Sequence, residues 1–171
     1  VNALSSLGRP QSLQPRLVIG TSHTQAHGQL FCGYAFELLN KEGAVLAYGH
    51  SYPKILKGDH TKAVLPAIIH AMGLLNEPQN IVVVTQLEYQ ISALNQRSLG
   101  PANTNYKRSS GKGYLADYLA LRQLDEALAK SGHKITARYP RSLDEVACYD
   151  RLTASAHESA IAAADFTSNA G

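Results

Sequence analysis

The spacing of apolar residues along the chain alternates between strand-like and helix-like periods, and each change of period marks an element. Leu17, Val18 and Ile19 form a short β-prone run after Arg16. Thr21-Ser22-His23-Thr24-Gln25-Ala26-His27-Gly28 follows and reads as a turn-rich stretch. Leu30–Leu39, with Phe31, Tyr34 and Phe36, and Ala44–Tyr52 then flank the polar turn Asn40-Lys41-Glu42-Gly43, the pattern of a hairpin. The first third therefore predicts a three-stranded antiparallel meander, with strands near 16–21, 30–39 and 44–52.

From Lys62 the period becomes helical. Leu65, Ile68, Ile69, Met72 and Leu75 predict a helix over 62–75, with Thr61 as its N-cap and Pro66 in the first turn, where a missing N–H is tolerated. Ile81-Val82-Val83-Val84-Thr85 reads as a strand, near 80–85, buried on both faces. A short helix is expected over 87–95. Residues 97–113, RSLGPANTNYKRSSGKG, read as a loop with four basic residues and no acid. Leu115, Tyr118, Leu119, Leu121, Leu124 and Leu128 predict a helix over 114–130 closed by Ser131-Gly132. A last strand is expected at 133–139. An Ala-rich helix with a polar interruption follows, over 143–165. The order βββ-α-β-α-α-β-α implies an α/β fold: a five-stranded mixed sheet, antiparallel meander plus parallel strands, with helices on both faces. It would occupy 16–166, between a flexible arm at 1–15 and a tail at 167–171.

Composition narrows the class. With 171 residues, 44% hydrophobic and 17% charged, the chain fits one globular domain and excludes disorder. No apolar run approaches the ~20 residues of a membrane span, so no membrane partner is expected. VNALSSLGRPQSLQPR lacks the apolar core of a secretory signal. Cys32 and Cys148 make neither a disulfide framework nor a zinc site and read as buried free thiols. These features lead to the expectation of a cytoplasmic protein. The net charge of +3 by itself identifies no polyanionic partner.

Most local constellations dissolve on inspection. His23 and His27 stand four apart, but in a turn that spacing does not converge two ligands on a metal. Ser22 and His23 are adjacent and point apart on a strand. Ser110-Gly111-Lys112-Gly113 lacks the frame of a phosphate loop. Arg97, Lys107, Arg108 and Lys112, with Tyr106 among them, form the one grouping suited to a phosphate backbone.

Three stretches, taken in order and spacing, resemble ribonuclease H of type 1 over about residues 16–157. Thr61-Lys62-Ala63-Val64-Leu65-Pro66-Ala67-Ile68-Ile69-His70-Ala71-Met72 resembles the family's first helix, N-R-M-E-L-x-A-x-x-x-A-L. Val82-Val83-Val84-Thr85-Gln86-Leu87-Glu88-Tyr89 resembles the strand ending in T-D-S-x-Y. Leu121-Arg122-Gln123-Leu124-Asp125-Glu126-Ala127-Leu128 resembles the helix that closes the middle of the domain. The resemblance implies hydrolysis by two metal ions ~3.5–4 Å apart, held by four carboxylates. Here the first carboxylate position falls on Gly20 or Thr21, the second on Val64 and the third on Gln86. The fourth falls on Asp150 or, in a shifted register, on Cys148. Valine coordinates nothing, and threonine and glutamine offer only neutral oxygen, whereas Mg²⁺ takes hard anionic oxygens. The family's Gly-His loop is also replaced, by Ala137-Arg138-Tyr139-Pro140-Arg141.

The expectation is therefore a degenerate, catalytically inactive ribonuclease H-like module without a cofactor. It would bind RNA, DNA, their hybrid or a nucleoprotein partner through the 97–112 loop, which lies where relatives carry a basic substrate-binding protrusion, and would act by positioning within a larger assembly. A pure protein-interaction module is the alternative. A second alternative is a nuclease using Mg or Mn at a relocated site of Asp59, Glu88 and Asp150. Otherwise Glu88 sits in the first turn of a helix, where its charge complements the dipole.

Overall fold

The computed structural model describes residues 14–53, 60–98 and 118–170. Five strands, β1 (Arg16–Ala26), β2 (Gln29–Leu39), β3 (Val45–Ser51), β4 (Asn80–Val84) and β5 (Lys134–Arg138), form one sheet in the order β3-β2-β1-β4-β5. The β3-β2-β1 meander is antiparallel, while β4 runs parallel to both β1 and β5. Among the described residues four α-helices, α1 (Val64–Met72), α2 (Glu88–Ser98), α3 (Tyr118–Ser131) and α4 (Leu143–Ala170), cover it. This is the expected five-stranded mixed α/β fold, with β4 in the interior of the sheet.

Strand alternation sorts the core into two layers. Leu17 and Ile19 of β1 and Ile81 and Val83 of β4 pack with Val64, Ile68, Leu94, Leu121 and Leu124 beneath α1–α3. Val18 and Val84 face the other way, onto Cys148, Tyr149, Leu152 and Ala156 of α4. β4 is thus apolar on both faces because helices lie on both. Each of these fully buried aliphatic side chains contributes about 1.5–3 kcal/mol of transfer energy.

The elements depart from expectation in five places. β1 continues to Ala26, through the stretch read as turn-rich; only His27 (φ 55°) and Gly28 (φ 73°) form the turn. Its Thr-rich residues stay extended because each pairs with β2, ending at Ala26↔Gln29, where two residues close the hairpin. Thr61 does not cap α1: residues His60–Ala63 form a 3-10 turn, and Ala63 occupies the cap with no side-chain hydrogen bond. Pro66 is the third residue of α1, where its missing N–H costs no intrahelical bond. Arg97, placed in a loop by the sequence, belongs to the last turn of α2. α4 has no interruption and runs through Ala170, so the expected tail at 167–170 is helical. Ala163 and Ala164 seat that end against Phe31, Phe166 lies 6.3 Å from Tyr52, and the Thr167 hydroxyl donates to the Ala163 carbonyl (3.2 Å). At the other terminus Pro15, assigned to the arm, already accepts the Val82 N–H through its carbonyl (2.9 Å). Residues 1–13 and 114–117 lie outside the described residues.

Candidate functional site

β4 ends against the middle of β1, and the positions that the resemblance aligns with the carboxylates lie around that end. β4 pairs with β1 as far as Val84↔Val18, so Gly20 and Thr21 extend beyond the β4 terminus at Thr85 and Gln86. Thr21 lies opposite Tyr34 of β2, on the face covered by α1, and is only 4% exposed. Val64 opens α1 on the same face, fully buried. Gly20 points the other way. A Cβ there would stand 2.4 Å from the backbone of Leu152 and Thr153, so α4 lies directly on the sheet at this point. Of the two positions the sequence left open, Thr21 shares a face with Val64, and Gly20 admits no side chain at all.

On the α4 face, three consecutive residues diverge. The Cys148 thiol donates to Glu37 Oε1 (3.4 Å) and lies 3.6 Å from an Arg151 nitrogen. Burial, then the Glu37 carboxylate, pushes that thiol up to about 11. Asp150 is exposed to solvent. Between them Tyr149 turns inward, and its hydroxyl is hydrogen-bonded to the backbone of Gln86 and the side chain of Thr153. Burial raises its pKa. The aromatic ring of Tyr149, singled out by neither register of the sequence, thus reaches the end of β4. Two turns along the same helix face, His157 Nδ1 is 3.2 Å from Ser22 Oγ, so Ser22 has its histidine partner on α4 instead of at His23.

These residues do not fit a two-cation site. Val64 has no donor atom, Thr21 and Gln86 carry no charge, and Asp150 is exposed to solvent. Glu88 occupies the first turn of α2 and is exposed, the placement that complements the helix dipole. Glu88 and Asp150 sit on helices that cover opposite faces of the sheet, and Asp59 lies outside the described residues. Among the described residues no group of three or more His, Cys, Asp or Glu is placed to hold a metal ion.

Two ion-pair clusters set α4 across this end of the sheet. Glu145, 3% exposed, receives two bonds from Arg138 of β5 (2.8 and 2.9 Å), one from Arg16 of β1 (3.0 Å) and the Arg141 N–H (2.8 Å). Those donors, Arg138 foremost, hold its carboxyl at about 2. Ser142 accepts the Glu145 N–H (3.1 Å) as the helix N-cap. The Ser142-x-x-Glu145 spacing is a capping-box signature legible in the sequence, although Glu145 reaches Arg141 in place of the cap's own N–H. Farther along, Arg151 grips Glu37 of β2 with two bonds (2.7 and 2.9 Å), which lowers the Glu37 pKa. Beyond Gly20, Gly33 of β2 provides a second direct contact: a Cβ there would stand 2.5 Å from Ala156 O and Ala160 N.

Of the basic group, Arg97 ends α2; Lys107, Arg108 and Lys112, with Tyr106, lie outside the described residues. Among the described residues no helix is long and apolar enough to cross a membrane.

No family model matches the chain. Ribonuclease H from Clostridium botulinum (strain Hall) is 32% identical over 96 residues, covering 54% of this chain and 64% of the relative, so the match spans less than two thirds of that protein. Among solved structures, the foamy viral protease-reverse transcriptase in complex with dsDNA superposes with a TM-score of 0.69 at 11% identity, covering 86% of this chain and 94% of that one. The PFV RNase H domain gives 0.63 at 14% identity, covering 85% and 94%. LC11-RNase H1 in complex with RNA/DNA hybrid gives 0.55 at 12%, covering 85% and 99%. With its sheet order, its helices on both faces and these similarities, the chain has the ribonuclease H-like fold.

Proposed function

We propose that this chain is a non-catalytic ribonuclease H-like module that binds nucleic acid, or a nucleoprotein partner, and positions it within a larger assembly. The observation that carries the reading is Val64, fully buried at the start of α1: the sequence resemblance aligns it with the family's metal-binding glutamate, and it offers no donor atom. The same resemblance aligns Thr21 and Gln86 with two further carboxylate positions, and on that alignment three of four anionic ligands give way to groups that cannot balance two divalent ions. Relatives of the same fold are described with an RNA/DNA hybrid and with dsDNA, which supports a nucleic-acid ligand.

Arg97, Lys107, Arg108 and Lys112 would contact phosphates, and Tyr106 would stack. Four contacts give a slope of log K against log salt of roughly −3. A filter-binding titration of an RNA–DNA hybrid against salt tests this, and Lys107→Ala with Arg108→Ala should remove about half of that slope. Because phosphate contacts position without specifying, the loss should be alike for different sequences. Undetectable affinity for single strands, duplexes and hybrids at low salt would refute nucleic-acid binding.

A further inference from the structure

The turn that joins β5 to α4, Tyr139-Pro140-Arg141-Ser142, is held from both ends. The Arg138 guanidinium donates to the Tyr139 carbonyl (3.1 Å), the Arg141 N–H donates to the Glu145 carboxylate (2.8 Å), and Ser142 caps the helix. Pro140 has a fixed φ between them. The turn also stands beside the end of β4, because the Thr85 N–H donates to the Arg138 carbonyl (3.2 Å). Three side chains on this held backbone are exposed: Tyr139 at 47%, Arg141, and Leu143, the first residue of α4, at 88%. Arg16 and Arg138 are occupied by Glu145, but among the described residues no acid pairs with the Arg141 guanidinium. A cation two residues from an exposed aromatic ring suits a nucleotide, whose base can cover the ring while its phosphate meets the charge.

We propose that the Tyr139–Leu143 turn takes an unpaired nucleotide, with Tyr139 stacked on the base and Arg141 on the adjoining phosphate, so that the module prefers single strands to continuous duplex. Granted the nucleic-acid reading, on which this rests, the strand preference follows from where free base faces occur. Inside a duplex each base face is covered by its neighbour in the stack, whereas single strands, loops and frayed ends leave faces open. Leu143 adds apolar surface that a sugar-phosphate backbone alone would leave wet. A protein partner could also cover a tyrosine, but an unneutralised cation on so short a turn favours an anion. The neighbouring exposed acid, Asp144, lies in the first turn of α4, where its charge complements the helix dipole. Because the backbone is already held, binding orders little of it.

Anisotropy titrations of the full chain at low salt, with a labelled single strand and a blunt-ended RNA–DNA hybrid of equal length, should show tighter binding of the single strand. Tyr139→Ala, with the fold checked by circular dichroism, should weaken the single strand about tenfold and leave the hybrid nearly unchanged. Tyr139→Phe, which keeps the ring, should bind as wild type does. Arg141→Ala should reduce the salt slope for the single strand by about 0.7. The chain has no tryptophan, so Tyr139→Trp supplies a lone reporter whose emission a single strand should quench and an abasic strand should not. If Lys107→Ala with Arg108→Ala lowers affinity but single strand and hybrid bind alike, or Tyr139→Ala changes neither, or the tryptophan emission is unmoved at saturation, this proposal alone is overturned. No binding of any nucleic acid by the wild type would instead remove the nucleic-acid reading and this inference with it.

Discussion

Glu145→Gln is the substitution whose cost follows most directly from the structure. The carboxylate bridges the start of β1 and the end of β5 through Arg16 and Arg138, whose side chains are 23% and 21% exposed. Glutamine keeps the size and one acceptor but leaves two partly buried guanidinium groups without an anion. Removing one partner of such a cluster costs about 3–5 kcal/mol. The pH dependence gives an independent figure. The carboxyl titrates at about 2 in the folded chain against 4.5 ordinarily. At 1.36 kcal/mol for each pH unit, this difference corresponds to about 3 kcal/mol. Because the folded value is depressed, that stabilisation is complete above pH 4.5 and is lost as pH falls toward 2. Urea unfolding of wild type and Glu145→Gln from pH 7 to pH 2 should show a gap of about 3 kcal/mol at neutral pH that narrows steadily below pH 4.5. A gap under about 1 kcal/mol at pH 7, or one that does not change with pH, would refute the reasoning.

Further outcomes follow from α4 and its contacts. Gly20→Ala and Gly33→Ala each place a methyl group against helix backbone at 2.4–2.5 Å and should lower stability by about 3 kcal/mol in denaturant melts; a neutral result would mean that α4 is free to lift. Cys148, its thiol held protonated to about pH 11, and Cys32, fully buried, should resist a thiol reagent at pH 8 and react only on unfolding, as followed by mass spectrometry.

The fold was legible because its signals are local and strong. Val82, Val83 and Val84, with Ile81, identify an interior strand without any knowledge of its neighbours, and the hairpin turn at 40–43 fixes the meander. Leu121, Leu124 and Leu128 do the same for α3. The misreadings are places where tertiary contacts override local chemistry. Thr21–Ala26 is polar enough to read as a turn, yet β2 supplies eleven successive partners for β1. The polar residues of α4 read as an interruption, yet Ser159 is buried and Arg151 is held by Glu37. The residues that the resemblance sets at the carboxylate positions, Thr21, Val64 and Gln86, stand in short stretches that the sequence displays directly. The sequence does not display what reaches the strand end: helix rotation decides that Tyr149, and neither Cys148 nor Asp150, reaches Gln86. Nor does a lone glycine in a β-prone run reveal that a helix rests on it.

The central claim, loss of the two-metal chemistry, is tested most directly by incubating the purified chain with an RNA–DNA hybrid in Mg²⁺ and in Mn²⁺ and measuring cleavage products. The account predicts none above the protein-free control, unchanged by Asp150→Asn. Metal-dependent cleavage that Asp150→Asn or Glu88→Gln abolishes would contradict it and establish a relocated carboxylate site.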